Sequence, residues 1–293
     1  MNTFLTSRNA LLLALLATLS ACKDQAEQIP AYVTIQPFTV NAEGGAALQK
    51  ITDGWLYVNG EFLGAYTLPS TVPILAEGES EIVVYPGVKE NGIAATPNLY
   101  PFMVKYVGKA TLSPAQTTEV RPVTSYDPDV KFAWTLDRSS FDGGSSVVIK
   151  DRDADTSRVF KILPGMGFSG KGLVMEVDTP HVVMEVDTEK ADLPTTREYP
   201  TWLELHYKCD IEFSLSLVGD NNPGAEQISS VYRFNPTDGA WNKIYINLTE
   251  SLLASKPARH GLYFRAFLGR NVNGQYDKTK GTVQLDNIRV LHY

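Results

Sequence analysis

Beyond residue 30 the apolar positions of this chain recur every second residue, the period of a half-buried β-strand. Tyr32-Val33-Thr34-Ile35 alternates, and Trp55 to Val58 and Phe62-Leu63 flank Asn59-Gly60. An Asn-Gly pair between apolar runs predicts a type I′ hairpin, because both central residues of that turn need φ > 0. Thr71–Ile74 and Glu81–Gly87 read as further strands. After Ser125-Tyr126-Asp127-Pro128-Asp129, where polar residues and Pro break the pattern, strands resume at Val147–Ile149, Trp202–Tyr207, Ile211–Leu217, Lys243–Leu248, Leu262–Leu268 and Thr282–Ile288. Val174–Thr179 recurs almost unchanged as Val183–Thr188. A nine-residue repeat is too short for a solenoid, so it predicts a hairpin of two similar strands turning near Pro180-His181. Long helical periodicity is missing. The expected fold class is all-β: a small β-sandwich-like N-terminal domain (31–125) followed by a larger two-sheet sandwich (126–293).

The N-terminal residues follow another rule. Arg8 precedes an uncharged apolar run, Ala10 to Leu19, which is far short of the roughly 20 residues a spanning helix needs. Leu19-Ser20-Ala21-Cys22 closes it. That sequence resembles a bacterial lipoprotein signal, which implies a signal peptide over 1–21 and a lipidated, palmitate-bearing Cys22. Residues 22–30 then form a tether, and the body stands lipid-anchored at the outer membrane of a Gram-negative envelope, on its periplasmic or cell-surface face. An ordinary secretory signal with an incidental Cys22 is the alternative. With 2 Cys in the chain, lipid on Cys22 leaves Cys209 unpaired; a Cys22–Cys209 disulfide is the competing arrangement. The formal net charge of −7 argues against nucleic acid or an anionic lipid surface as partner, so lipid must hold the chain to the membrane.

Two further resemblances bear on function. Leu56 to Pro69, a strand, an Asn-Gly turn, a second strand, a Gly and then a Pro, resembles the PEGA module of bacterial surface proteins. It implies an adaptor or spacer role. Phe141-Asp142-Gly143-Gly144, the strands at Trp202–Tyr207 and Trp241–Leu248, and the closing Leu285-Asp286-Asn287-Ile288-Arg289-Val290 resemble the galactose-binding-like jelly roll of carbohydrate-binding modules. The fold so implied for the second domain is a jelly roll, and a structural Ca²⁺ held by Asp142 and Asp286 is a further implication. The plainer role for Asp286 is a hydrogen bond to a neighbouring loop.

Parity sorts the strand side chains of that domain into faces. Leu203, Leu205, Ile244, Ile246, Leu262 and Phe264 fall on the core side. Trp202, Glu204, His206, Lys243, Tyr245, Asn247, Tyr263, Arg265 and Phe267 fall on the other. Aromatic faces that stack on sugar rings, beside groups that bond hydroxyls, make Trp202, Glu204, His206, Tyr245, Asn247, Tyr263 and Arg265 the candidate ligand-binding set. The bland alternative buries Trp202 or Phe267 beneath a loop or the first domain. Asp151-Arg152-Asp153-Ala154-Asp155 fails as an EF-hand, having Thr156 and Ile162 where Gly and Glu are needed, and reads as a solvated turn. The 4 His show no zinc spacing, and no G-x-S-x-G is present. The expectation is a non-catalytic, lipid-anchored envelope protein whose jelly roll binds a polysaccharide or other glycan. The rival is an accessory lipoprotein that binds another envelope protein, and a glycosidase or lyase is a third class.

Overall fold

The computed structural model describes residues 27–41, 46–143, 146–222, 225–255 and 257–293. The expected signal peptide and Cys22 lie outside the described residues. Among these residues, helix is limited to α1 (Thr249–Leu253) and two single 3₁₀ turns, and no helix is long and apolar enough to cross a membrane. The chain is all-β, with sandwich-like sheets.

The first set of strands makes two facing sheets and a short ribbon. β1 (Ala31–Ile35) lies between β5 (Ser70–Ile74) and β9 (Thr117–Val120). Opposite stand β3 (Asp53–Val58), β4 (Glu61–Thr67), β6 (Gly78–Lys89), β7 (Pro97–Leu99) and β8 (Tyr106–Leu112). The ribbon pairs β2 (Thr39–Val40) with β10 (Val123–Thr124). Val33, Ile35, Leu56, Ile82, Val84 and Leu112 fill the space between the two sheets. The Asn59-Gly60 turn joins β3 to β4 with φ of 51° and 83°, as a type I′ turn requires.

The second set forms a sandwich. Its back sheet runs β13 (Lys161–Pro164), β14 (Lys171–Asp178), β21 (Lys280–His292), β16 (Trp202–Cys209), β19 (Asn242–Asn247), with β11 (Lys131–Phe132) added on β21. Its front sheet runs β12 (Ile149–Asp151), β15 (Val183–Thr188), β20 (Arg259–Phe267), β17 (Phe213–Asn222), β18 (Ala225–Phe234). Leu203, Leu205, Phe213, Leu215, Phe264, Val283 and Leu285 are fully buried between them. Burial of this kind is the main force holding two sheets together.

One expectation changes. The look-alike strands do not form a hairpin: β14 pairs with β13 and β21, whereas β15 pairs with β12 and β20. The short turn between them crosses from the back sheet to the front. Both strands bury Val and Met on one face, and that pattern suits two facing sheets as well as one hairpin. The expected break at Ser125–Asp129 is pinned to the first domain. Ser125 O accepts from Val104 N, Asp127 N donates to Phe102 O, and Tyr126 bridges Met103.

A bulge sets the geometry of β21. Its pairing with β16 shifts register between Glu204 and His206, and Asn287 there has φ of 50°. The extra residue reverses side-chain parity, so Asp286 and Arg289 both point away from the core that Leu285 and Ile288 fill.

Candidate functional site

At their Trp202 end, the outward side chains of β16, β19 and β21 are covered by the first domain. Trp202, His206 and Tyr245 are each 2% exposed and Glu204 is 0% exposed. Val40, Val88, Tyr100, Phe102 and Met103 of the first domain pack with Trp202, Tyr245 and Leu291 in one cluster. Tyr100 meets Trp202 edge-on at 5.7 Å and Tyr245 at 4.9 Å between ring centroids. Backbone joins the contact: Asn91 N donates to Tyr245 O at 2.8 Å, Lys50 N to Tyr245 Oη at 2.8 Å, and Asn247 N to Asn91 Oδ1 at 3.2 Å. An exposed sugar platform is therefore corrected: Trp202, Glu204, Tyr245 and Asn247 belong to a domain interface, and His206 is buried beneath Phe168 of its own domain. Alternation identified outward-facing side chains, but it carries no information about what covers them.

Glu204 is the centre of that interface. Its carboxylate accepts from Tyr100 Oη at 2.5 Å, from Tyr126 Oη at 3.0 Å and from Lys243 Nζ at 2.5 Å, and Arg289 Nη1 lies 3.7 Å away. Burial drives a carboxyl pKa up. Here the Lys243 and Arg289 charges, with hydrogen bonds from Lys243 and Tyr100, outweigh it and hold Glu204 below the usual range. Burial pushes Lys243 down to about 8 against the pull of Glu204. Burial and the Glu204 charge push Tyr100, Tyr126 and Tyr245 well up, so all three are neutral. His206 stacks on Phe168 at 4.3 Å, and burial beside Lys243 pushes it down to about 3. This is a buried ionic lock in which the second domain supplies the charges, and Tyr100 of the first domain and Tyr126 of the junction supply phenol donors. Tyr100, Tyr126 and Arg289 had no sequence signal, because the network exists only once the domains meet.

The other two candidates, Tyr263 and Arg265, lie on the opposite side of the molecule, on the outer face of the front sheet. Arg152 lies 5.3 Å over the Tyr263 ring, and its Nη1 donates to Asp187 Oδ2 at 2.8 Å. Its other nitrogen pairs with Glu226. Arg265 and Arg233 sit 5.9 Å and 5.2 Å from the Phe267 ring centroid, and Arg265 Nε is 3.0 Å from Glu185 Oε1. At the Arg152 end opens a cleft of 540 Å³, where Lys150, Arg152, Lys190 and Arg259 face Asp187, Glu189, Asp220 and Glu226. The Asp151–Asp155 run, expected as a solvated turn, builds one wall: Asp151 pairs with Val186, Arg152 N donates to Glu185 O, and Asp153 Oδ2 accepts from Glu185 N at 3.0 Å. Arg152 was thus missed by sequence reasoning, because its partners lie on three other strands.

Asp142 and Asp286 meet the same loop. Lys171 N donates to Asp142 Oδ1 at 2.6 Å and Ser169 N to Asp286 Oδ2 at 3.3 Å. Gly170 between them has φ of +67°, and a Cβ there would lie 2.0 Å from Asp142 Oδ1. Burial, with Asp142 nearby, pushes Asp286 up to about 6. Among the described residues no group of three or more His, Cys, Asp or Glu gathers to hold a metal. What the geometry shows is a clasp on the loop around residues 168–171.

No family model and no curated protein matches the chain. Among solved structures, it is similar to the carbohydrate-binding module TmCBM61 in complex with β-1,4-galactotriose, at 11% identity over 53% of this chain and 95% of that chain, with a TM-score of 0.32. It is also similar to the family 11 carbohydrate-binding module from Clostridium thermocellum in complex with a β-1,3-1,4-mixed-linked tetrasaccharide, at 14% identity over 55% and 94% with a TM-score of 0.34. A third likeness is to the enzymatically active domain of bacteriophage CBA120 tailspike protein 4, at 11% identity over 60% and 25% with a TM-score of 0.37. At such identities and TM-scores nothing about ligands passes from those proteins to this chain.

Proposed function

We propose that this is a lipid-anchored envelope protein whose second domain binds a glycan on the outer face of its front sheet, without catalysis. The observation that carries the reading is that face itself: Arg265 and Arg233 on Phe267, beside a polar cleft where Arg152 covers the buried Tyr263. Guanidinium groups and carboxylates bond sugar hydroxyls, and aromatic faces stack on sugar C–H groups. Most of the cleft carboxylates are tied up in ion pairs, which favours binding over hydrolysis, while burial and the Asp153 charge raise Asp151 at the same cleft. A glycosidase needs an acid whose pKa is raised. Here the hydrogen bond from Arg152 draws Glu226 down to about 2. Asp220 is paired with Lys190 at 2.7 Å and Asp187 with Arg152 at 2.8 Å.

The anchor is proposed from Leu19-Ser20-Ala21-Cys22, and with it a place at the outer membrane. A glycan array probed with the full chain tests the function. Binding that Arg265→Ala removes supports it. Recovery of an envelope protein crosslinked through Arg265, with no glycan bound, replaces it with the accessory-lipoprotein reading.

A further inference from the structure

In the first domain, four neighbouring outward positions of the five-stranded sheet are aromatic, where a solvated sheet more often carries threonine, serine and lysine. Trp55 and Tyr57 stand on β3, Phe62 on β4 and Tyr85 on β6, and the pairings Trp55–Tyr85 and Tyr57–Phe62 place them side by side. The Trp55 and Phe62 rings are 5.4 Å apart and 23° from parallel. Tyr57 lies 5.0 Å from Phe62 and 5.5 Å from Tyr85. These rings are not core. The core of this domain is filled from the other face of the same strands, by Leu56, Val58, Ile82 and Val84. They are not the domain interface either, which uses Val88, Tyr100 and Phe102. Phe62 is 47% exposed.

We propose that this face is a carbohydrate-binding shelf on which sugar rings of a polysaccharide stack. Its size decides between occupants. Strands lie about 4.8 Å apart and rise about 3.3 Å per residue, so two side-chain rows across β4, β3, β6 and β8 cover roughly 14 Å by 7 Å, on the order of 100 Å². A stable protein partner or a second copy needs about 800 Å² a side. The shelf does not extend, because satisfied ion pairs close both ends: Lys89–Asp53 at 2.7 Å and Lys109–Glu79 at 2.9 Å. Its chemistry is that of a sugar's complement. Flat apolar rings meet C–H faces, and Lys105, whose Nζ lies 5.1 Å from the Tyr85 ring centroid and 3.2 Å from its hydroxyl, offers donors at the rim. Gly87 leaves room for the indole, since a Cβ there would lie 3.2 Å from Trp55 Cδ1.

The shelf shares no residue with the front-sheet face, so the two sites can be tested apart. The full chain in a non-glycosidic detergent is run on native gels containing β-1,4-galactan, mixed-linkage β-glucan, mannan or hydroxyethyl cellulose. Wild type is compared with Phe62→Ser, Trp55→Ala and Arg265→Ala. Phe62→Ser replaces a half-exposed ring, so its melting temperature should stay that of wild type. The expected result is that Phe62→Ser and Trp55→Ala each weaken retardation by one of these polysaccharides about tenfold. Such a loss with Arg265→Ala unaffected keeps the shelf and removes the front-sheet reading. Retardation of Phe62→Ser equal to wild type on every gel overturns the shelf, as does a chain that none of the four polysaccharides retards. A protein captured by a photo-crosslinker at position 62 overturns it as well.

Discussion

Glu204 shows how little a residue's type says about its task. In sequence it is one carboxylate on an alternating strand, suited to bonding sugar hydroxyls. In the structure it is fully buried and holds Lys243, Arg289, Tyr100 and Tyr126 around it. Removing one partner of a buried pair leaves the others unpaired, at a cost of about 3–5 kcal/mol. Glu204→Gln is expected to lose that much in urea unfolding, and a loss within about 0.5 kcal/mol would place the network outside the stability of the fold. His206 gives a pH signature. Its folded pKa is near 3 against an ordinary 6.5, so between those values the unfolded chain binds a proton that the folded chain does not. Its contribution is complete above 6.5 and is lost as pH falls towards 3. Asp286, raised from 3.8 to about 6, acts in the opposite sense, contributing below 3.8 and losing that contribution as pH rises through 6. The two offset each other between about pH 4 and 6. Replacing His206 by Phe, which keeps a ring against Phe168, should uncover the Asp286 slope. The stability difference between variant and wild type should change by about 1.4 kcal/mol per pH unit in that window. Parallel stability–pH curves would show that His206 is charged in the fold.

At the scale of elements, much was legible. Period-two alternation located the strands and separated core from outward side chains: Leu203, Leu205 and Phe264 are each 0% exposed. The Asn59-Gly60 turn formed because both residues tolerate φ > 0. What alternation lacks is partnership. Trp202 and Tyr263 have the same parity, yet one strand lies in the back sheet under the first domain and the other in the front sheet. Val174–Thr179 and Val183–Thr188 look like partners and belong to opposite sheets for the same reason. The bulge on β21 was equally hidden, since Asp286-Asn287 carries no turn signal in an apolar strand. That bulge makes a prediction. A β-branched residue at the Asn287 φ of 50° is strained by roughly 1–2 kcal/mol. Asn287→Val should lower stability by about that amount, and Asn287→Gly should not. Equal losses would locate the cost in the side chain instead.

Over the whole molecule, the two sets of sheets are fastened by aromatic packing, backbone hydrogen bonds and the Glu204 lock. The body should therefore unfold in a single cooperative transition by calorimetry. Two resolved transitions would mean that the lock contributes little. One face of the second domain is consumed in this joint; under the proposed function the front sheet meets the glycan and a lipid on Cys22 holds the chain to the membrane. Cys22→Ser is expected to release the chain from membranes in a carbonate wash, and its retention would remove the anchor. The most direct test of the glycan site is affinity electrophoresis of wild type, Arg265→Ala and Trp202→Phe in gels containing the polysaccharide that the array identifies. Arg265 is an exposed pair of Glu185, so its loss should leave the melting temperature unchanged and weaken retardation, while Trp202→Phe, buried in the joint, should be retarded as wild type. If Arg265→Ala is retarded fully and Trp202→Phe is not, the glycan does not bind on the front sheet.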